Sequence, residues 1–287
     1  MPVSVADVAC GFALPALVAG GLLVVLQRFV LAEFVRKIAA SAALAAGFVT
    51  GYALLGLGQW EVKYFWHWLP YVTMLSVCGS ALTAGERWLR VAGEVGCLAL
   101  AVLAAWLLVP TWPHLEPTRA VHIAVWSSGV FVLALLLDPL TRPAMASRLP
   151  RGLLSTVLAG TMFAAVVVVL LSESLRFTQF AGAAAGSMLG IAIVNTAWPK
   201  QTSLHGIAFT FAVLSCALLL VAQVDSHSAV PLISYAVVPL APLGLWLAKL
   251  LGEDASRPAW KSWALLLPLP VVICAGAIGL AVAWTLG

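Results

Sequence analysis

Charge is what this sequence has least of. Acidic and basic residues fill 9% of its 287 positions, against about 25% in soluble domains. So few charges cannot cover a water-facing surface, which excludes a soluble globular fold. Cysteine is scarce as well. All five lie inside apolar runs with no CxxC pair, which excludes a zinc knuckle or a disulfide framework. There is no Walker loop, no dinucleotide-binding glycine fingerprint, no G-x-S-x-G elbow and no HExxH pair. The opening MPVSVADVAC lacks the basic start of a secretory signal. On these grounds no residue receives a catalytic role, no metal or cofactor is expected, and an enzyme is the less favoured class.

Hydrocarbon is what the sequence has in excess, with 63% hydrophobic residues. Apolar runs recur over 8–27, 38–58, 68–84, 91–110, 119–137, 153–171, 177–195, 205–224, 229–250 and 264–285. A helix of roughly 20 such residues crosses a bilayer. The expected fold is all-α: a polytopic integral membrane protein, a bundle of about ten transmembrane helices forming one transmembrane domain over 1–287. The connections are too short for a soluble domain, so any chemistry lies within the bilayer or on its faces.

The cations orient the bundle. Twelve of the fifteen lie in alternate connections, near 28–37, 87–90, 142–151, 200 and 249–261; the others are Lys63, Arg119 and Arg176. Basic residues stay cytoplasmic during insertion. Both termini are therefore expected on the non-cytoplasmic side of a bacterial inner membrane. The net charge of +4 is this orientation signal, and nucleic acid is not an expected partner.

Small residues recur on two spans. Gly182, Gly186 and Gly190 stand four apart in the seventh, and Ala43, Gly47 and Gly51 four apart in the second. In lipid, helices associate where small residues let backbones approach. Both stripes are thus expected packing seams. They are also related by a constant offset of 139 residues, from Ala43 to Gly182, Gly47 to Gly186 and Gly51 to Gly190. That offset suggests two five-helix halves, 1–138 and 139–287. Five is odd, so the second half would be inverted, as in many secondary transporters.

Ionisable and polar residues inside the bilayer are the functional candidates. Glu94 lies one turn inside the fourth span, between Gly93 and Gly96. His122 and Arg119 open the fifth span, and Asn195 closes the seventh ahead of Trp198 and Pro199. Local pairs account for other charges: Glu33 with Arg36 and Lys37, and Glu173 with Arg176. Asp138 reads as the cap of a short interfacial helix begun by Pro139. His67, His114, Glu116, Asp225 and His227 gather on the outer face. In the ninth span, AVPLISYAVVPLAPLGLWLAK, Pro239 and Pro242 fall near mid-depth and predict a broken helix beside a cavity.

The leading functional reading is a small-solute or ion transporter, with a hydrated cavity between the fourth and ninth spans exposing Glu94 or Asn195. The alternatives are a non-transporting subunit whose glycine stripes bind partner membrane helices, and a membrane-embedded enzyme built on the outer histidines and acids.

Overall fold

The computed structural model describes residues 8–30, 32–56, 60–83, 90–142, 149–150, 152–198, 203–226, 230–246 and 259–286. Every regular element among them is helical. In chain order they are α1 (Leu14–Arg28, led by a π-helical turn at Ala9–Ala13), α2 (Glu33–Leu55), α3 (Leu69–Thr83), α4 (Arg90–Leu108), α5 (Arg119–Thr141) and α6 (Leu153–Leu171). There follow α7 (Leu175–Ala197), α8 (Ile207–Asp225), α9 (Leu232–Val237, continued by the 3-10 stretch Val238–Leu243), α10 (Ala259–Leu266) and α11 (Pro268–Leu286). Eight helical segments among the described residues are long and apolar enough to cross a membrane. The 15-residue α3 and the interrupted α9 are shorter.

Punctuation explains the clean starts. Gly152 and Gly206, with φ of +75° and +79°, immediately precede α6 and α8. This left-handed geometry suits glycine, which has no Cβ to clash. At Gly206 space is also short, since a Cβ would stand 2.9 Å from the Lys37 carbonyl oxygen. The Gly206 carbonyl accepts a 2.8 Å bond from Ser41 Oγ, tying the start of α8 to α2.

The inside of the bundle is formed by α2, α6, α7 and α8. α7 packs against α1, α2 and α6; α8 packs against α3 and α5, and to a lesser extent α2 and α9. About 72% of the most apolar window of α7 is buried and 78% of that of α8, against 28% for the segment containing α5 and 22% for the last segment. At the α7 boundary the approach is backbone to backbone. A Cβ on Gly186 would overlap the Phe12 carbonyl, and one on Gly190 the Ala16 carbonyl. Across α2, a Cβ on Gly47 would lie 2.5 Å from Ser187 Oγ, and one on Gly51 2.5 Å from Ala183 Cβ. Gly182 is roomier, with its nearest contact at 3.6 Å, while Ala43 is fully buried.

Polar side chains in the helices bond mainly to the preceding turn, as Thr73 does to Leu69 and Thr161 to Val157. A few bridge helices. Ser80 and Thr210 link α3 to α8 at 3.1 Å, and Gln27 clasps Ser203 through two bonds of 2.8 and 2.7 Å.

Several local expectations need correcting. α5 does not stop at residue 137 but runs through Pro139 to Thr141. Asp138 therefore caps no new helix. It accepts a 2.8 Å bond from Arg142 Nε, one turn on in sequence. Pro139 removes a single donor, the one that would serve the Leu135 carbonyl; separately, Thr141 Oγ1 donates to the Asp138 carbonyl at 2.8 Å in the last turn. Arg176 does not pair with Glu173. It stacks over Trp66, 5.1 Å from the ring centre, while Glu173 turns the chain with φ of +63°. Glu33 pairs with Lys37 at 3.0 Å as expected.

Candidate functional site

Two prolines set the geometry of α9. Proline has no N–H to give the carbonyl four residues back. Pro239 and Pro242 thus leave the Tyr235 and Val238 carbonyls without the donors an uninterrupted α-helix would supply, and the backbone tightens to 3-10 over Val238–Leu243. Gly244 then abuts α11, where a Cβ would lie 3.0 Å from Pro270 Cδ.

Against the other side of α9 lies a cavity of about 430 Å³. α5 forms one wall with Val121, His122, Val125, Trp126, Gly129, Val130 and Leu133. α8 adds Cys216, Leu219, Leu220 and Gln223, and α9 adds Leu232, Tyr235, Ala236, Pro239 and Leu240. No Asp, Glu, Lys or Arg lines it, only the imidazole of His122. Val121, Val125, Leu232 and Leu240 are exposed, so the cavity opens sideways as a groove on the flank of the bundle. Trp126 Nε1 donates to the Cys216 carbonyl at 3.2 Å and ties two walls together.

His122 Nδ1 lies 2.9 Å from the Thr118 carbonyl. A carbonyl only accepts, so Nδ1 carries a proton, and in the neutral form of the ring Nε2 is an acceptor. Tyr235 is 4% exposed, and its buried hydroxyl has no hydrogen-bond partner among the described residues.

A second, much smaller cavity of about 30 Å³ lies towards the other end of α5. Its lining includes Thr83, Glu94, Cys97, Asp138 and Arg142, from α3, α4 and α5 and the residue that follows α5, together with Ala208 and Phe209 of α8. Glu94 thus shares a cleft with the Asp138–Arg142 ion pair. His205 lies nearby in the approach to α8. Burial holds its imidazole below the ordinary value; Asp138 opposes that, and Arg142 and Lys37 add to it. Its buried Nδ1 has no partner among the described residues.

Of the sequence candidates, the structure brings His122 and Pro239 to the groove. Pro242 is buried beyond its lining. Glu94 is not beside α9: its cleft is bounded by α3, α4, α5 and α8, so the expected cavity between the fourth and ninth spans is replaced by two separate ones. Asn195 is not a helix cap. α7 continues to Ala197, and Asn195 Nδ2 donates to Ser155 Oγ of α6 at 3.1 Å. Arg119 spans the gap to α4, donating to the Trp106 and Val109 carbonyls at 3.0 and 3.4 Å. A cation suits a helix C-terminus, where the carbonyls lack partners.

Each described outer-face candidate has its own local setting. His67 is buried in the 3-10 turn Phe65–Trp68, its Nδ1 2.9 Å from the Glu61 carbonyl and 3.2 Å from the Lys63 amide. His114 is exposed beside the Trp112 ring, and Glu116 opens a 3-10 turn before α5. Asp225 ends α8, and His227 lies outside the described residues. No three such groups among the described residues could hold a metal ion.

The sequence reading missed Gln223, Tyr235, Trp126 and Gly129. Two signals were available. Trp126 sits well inside its span, away from the interfaces that tryptophan prefers. Tyr235 stands between Pro231 and Pro239, where the helix must break.

No relative identifies this chain. No protein-family model, curated protein or solved structure matches it.

Proposed function

We infer that the chain is a transporter of a small solute, seated in a bacterial inner membrane with both termini outside. Ten crossings, with α3 and α9 as the short ones and α10–α11 as the last, account for the alternation of its basic connections. The halves 1–138 and 139–287 would be inverted copies, joined along small-residue stripes on α2 and α7. The observation that carries the reading is the interrupted α9 beside a cavity. Irregular backbone at membrane depth is tolerated where it faces protein or a cavity, and transporters use such breaks at their binding sites. The partner-subunit alternative draws no support, because Gly47, Gly51, Gly186 and Gly190 are buried among α1, α2 and α7 rather than turned outward. The enzyme alternative is less favoured, because no group of three His, Cys, Asp or Glu that could hold a metal ion is found among the described residues.

The test is efflux from proteoliposomes loaded with a panel of radiolabelled neutral, anionic and cationic solutes. At least one class should leave at least tenfold faster than from protein-free vesicles, and Gly129→Phe, which fills the groove, should abolish the difference. If no solute of the panel moves faster than in protein-free vesicles, the reading fails.

A further inference from the structure

The groove is graded along its length. Near the start of α5, the end of α8 and the start of α9 it offers His122, Gln223 and Tyr235; further along, Leu133 and Leu240 offer hydrocarbon alone. A cationic solute would find no counter-ion in it, nor would an anion while the His122 ring is neutral, and an unpaired charge in so apolar a place is strongly disfavoured. An apolar molecule with no polar group would leave the Tyr235 hydroxyl as it is now, buried without a partner. Such a group is costly until something supplies its hydrogen bond. His122 presents the complement, an acceptor at Nε2 fixed by the Thr118 carbonyl. A ligand hydroxyl that donates to His122 Nε2 satisfies both groups once the Tyr235 ring turns its buried hydroxyl into the groove to donate to it. The cavity of about 430 Å³ matches a small-molecule body, and its open side faces the surroundings of the bundle rather than its ends.

We propose that the groove between α5, α8 and α9 binds an uncharged amphiphile drawn from the bilayer, its hydroxyl head at His122, Gln223 and Tyr235 and its hydrocarbon body along Leu133 and Leu240. This deepens the transporter reading by naming the solute class of that site, and it is tested by binding alone.

The probe is a long-chain alcohol carrying a mid-chain diazirine, added to the purified full chain in phosphatidylcholine nanodiscs. The same chain ending in a carboxylate serves as the charged comparison at pH 8. After illumination, labelled peptides are mapped by mass spectrometry. The alcohol should label α5 and α9 saturably, at least tenfold more than the carboxylate, with competition by unlabelled alcohol. Gly129→Phe should remove at least nine-tenths of the labelling, and Tyr235→Phe should weaken the apparent affinity three- to tenfold. A Cβ at Gly129 meets nothing within 4 Å, so the bulky variant has room. Ala236→Phe fills the groove from the α9 side if Gly129→Phe does not fold. Equal labelling by the carboxylate, or non-saturable labelling that the filling variants leave unchanged, overturns the proposal and marks a bilayer lipid merely resting there. If a panel solute is transported while the alcohol does not bind saturably, this proposal falls and the transporter reading stands. If the alcohol binds as described and nothing is transported, the reverse holds.

Discussion

The two sides of this bundle treat the same kind of residue in opposite ways. Where α1, α2 and α7 meet, glycine removes the last atom between backbones, and no cavity separates Gly190 from Ala16. Where α5, α8 and α9 meet, Gly129 faces open space and lines a cavity of about 430 Å³. In water, both sides would be drawn closed by hydrophobic burial. In hydrocarbon that force between helices is absent, and contact depends on how well surfaces fit. An uninterrupted, small-faced helix such as α7 fits its neighbours closely. A helix broken by two prolines, such as α9, does not. The contrast separates a closely packed frame from a region with room for a ligand.

The sharpest way to break that comparison is one substitution made on both sides. Gly190→Leu should destabilise the fold by about 3 kcal/mol or more, because its Cβ alone overlaps the Ala16 carbonyl. Gly129→Leu should change stability by less than about 1 kcal/mol, with any gain coming from helix propensity. Thermal melting in one detergent compares the two, and equal losses would erase the distinction. Next in size is Tyr235→Phe. Removing a buried, unpartnered hydroxyl from the ligand-free protein should stabilise it by about 1 kcal/mol, and a clear loss would mean that the hydroxyl already has a partner.

A smaller effect concerns the frame. A double-mutant cycle of Asn195→Ala with Ser155→Ala should give a coupling of about 0.6 kcal/mol, the usual worth of a hydrogen bond between membrane helices. Zero coupling would assign the α6–α7 contact to packing alone. The smallest readout is a slope. Burial lowers the pKa of His205 in the folded chain, so the unfolded chain takes up a proton more readily. Stability should be flat above the unfolded value of about 6.5 and fall as pH drops below it towards the folded value. Melting followed from pH 7.5 to 5.5 should show that fall, and His205→Gln should reduce it. An unchanged slope in the variant would mean that the imidazole is not shielded from water.

Much of the helical map was legible because hydrocarbon tolerance is a property of local sequence. The sixth span was read as 153–171, and α6 runs over those residues between Gly152 and Ser172. The break in α9 was legible for the same reason, since a missing N–H acts on its own turn. Pairings by spacing fared unevenly. Glu33 and Lys37 meet as i, i+4 neighbours, yet Arg176 turns to Trp66 and Asn195 to Ser155, partners on other segments that no local pattern marks. The groove was half legible. Pro239 and His122 pointed to it, but the wall opposite α9 was assigned to the span of Glu94 when it belongs to α5 and α8. Helices apolar on every side carry no stripe that names their neighbours.

By itself, then, the sequence determined that the chain forms long apolar helices, where most of them begin and end, and which one must break, because these follow from transfer into hydrocarbon and from backbone donors counted turn by turn. Only the tertiary structure decided that α7 is walled in by α1, α2 and α6, that Glu94 shares a cleft with Asp138, and that Tyr235 lines one groove with His122 and Gln223. Helices that lipid solvates equally well on all faces choose their neighbours by shape, and shape exists only once they are assembled.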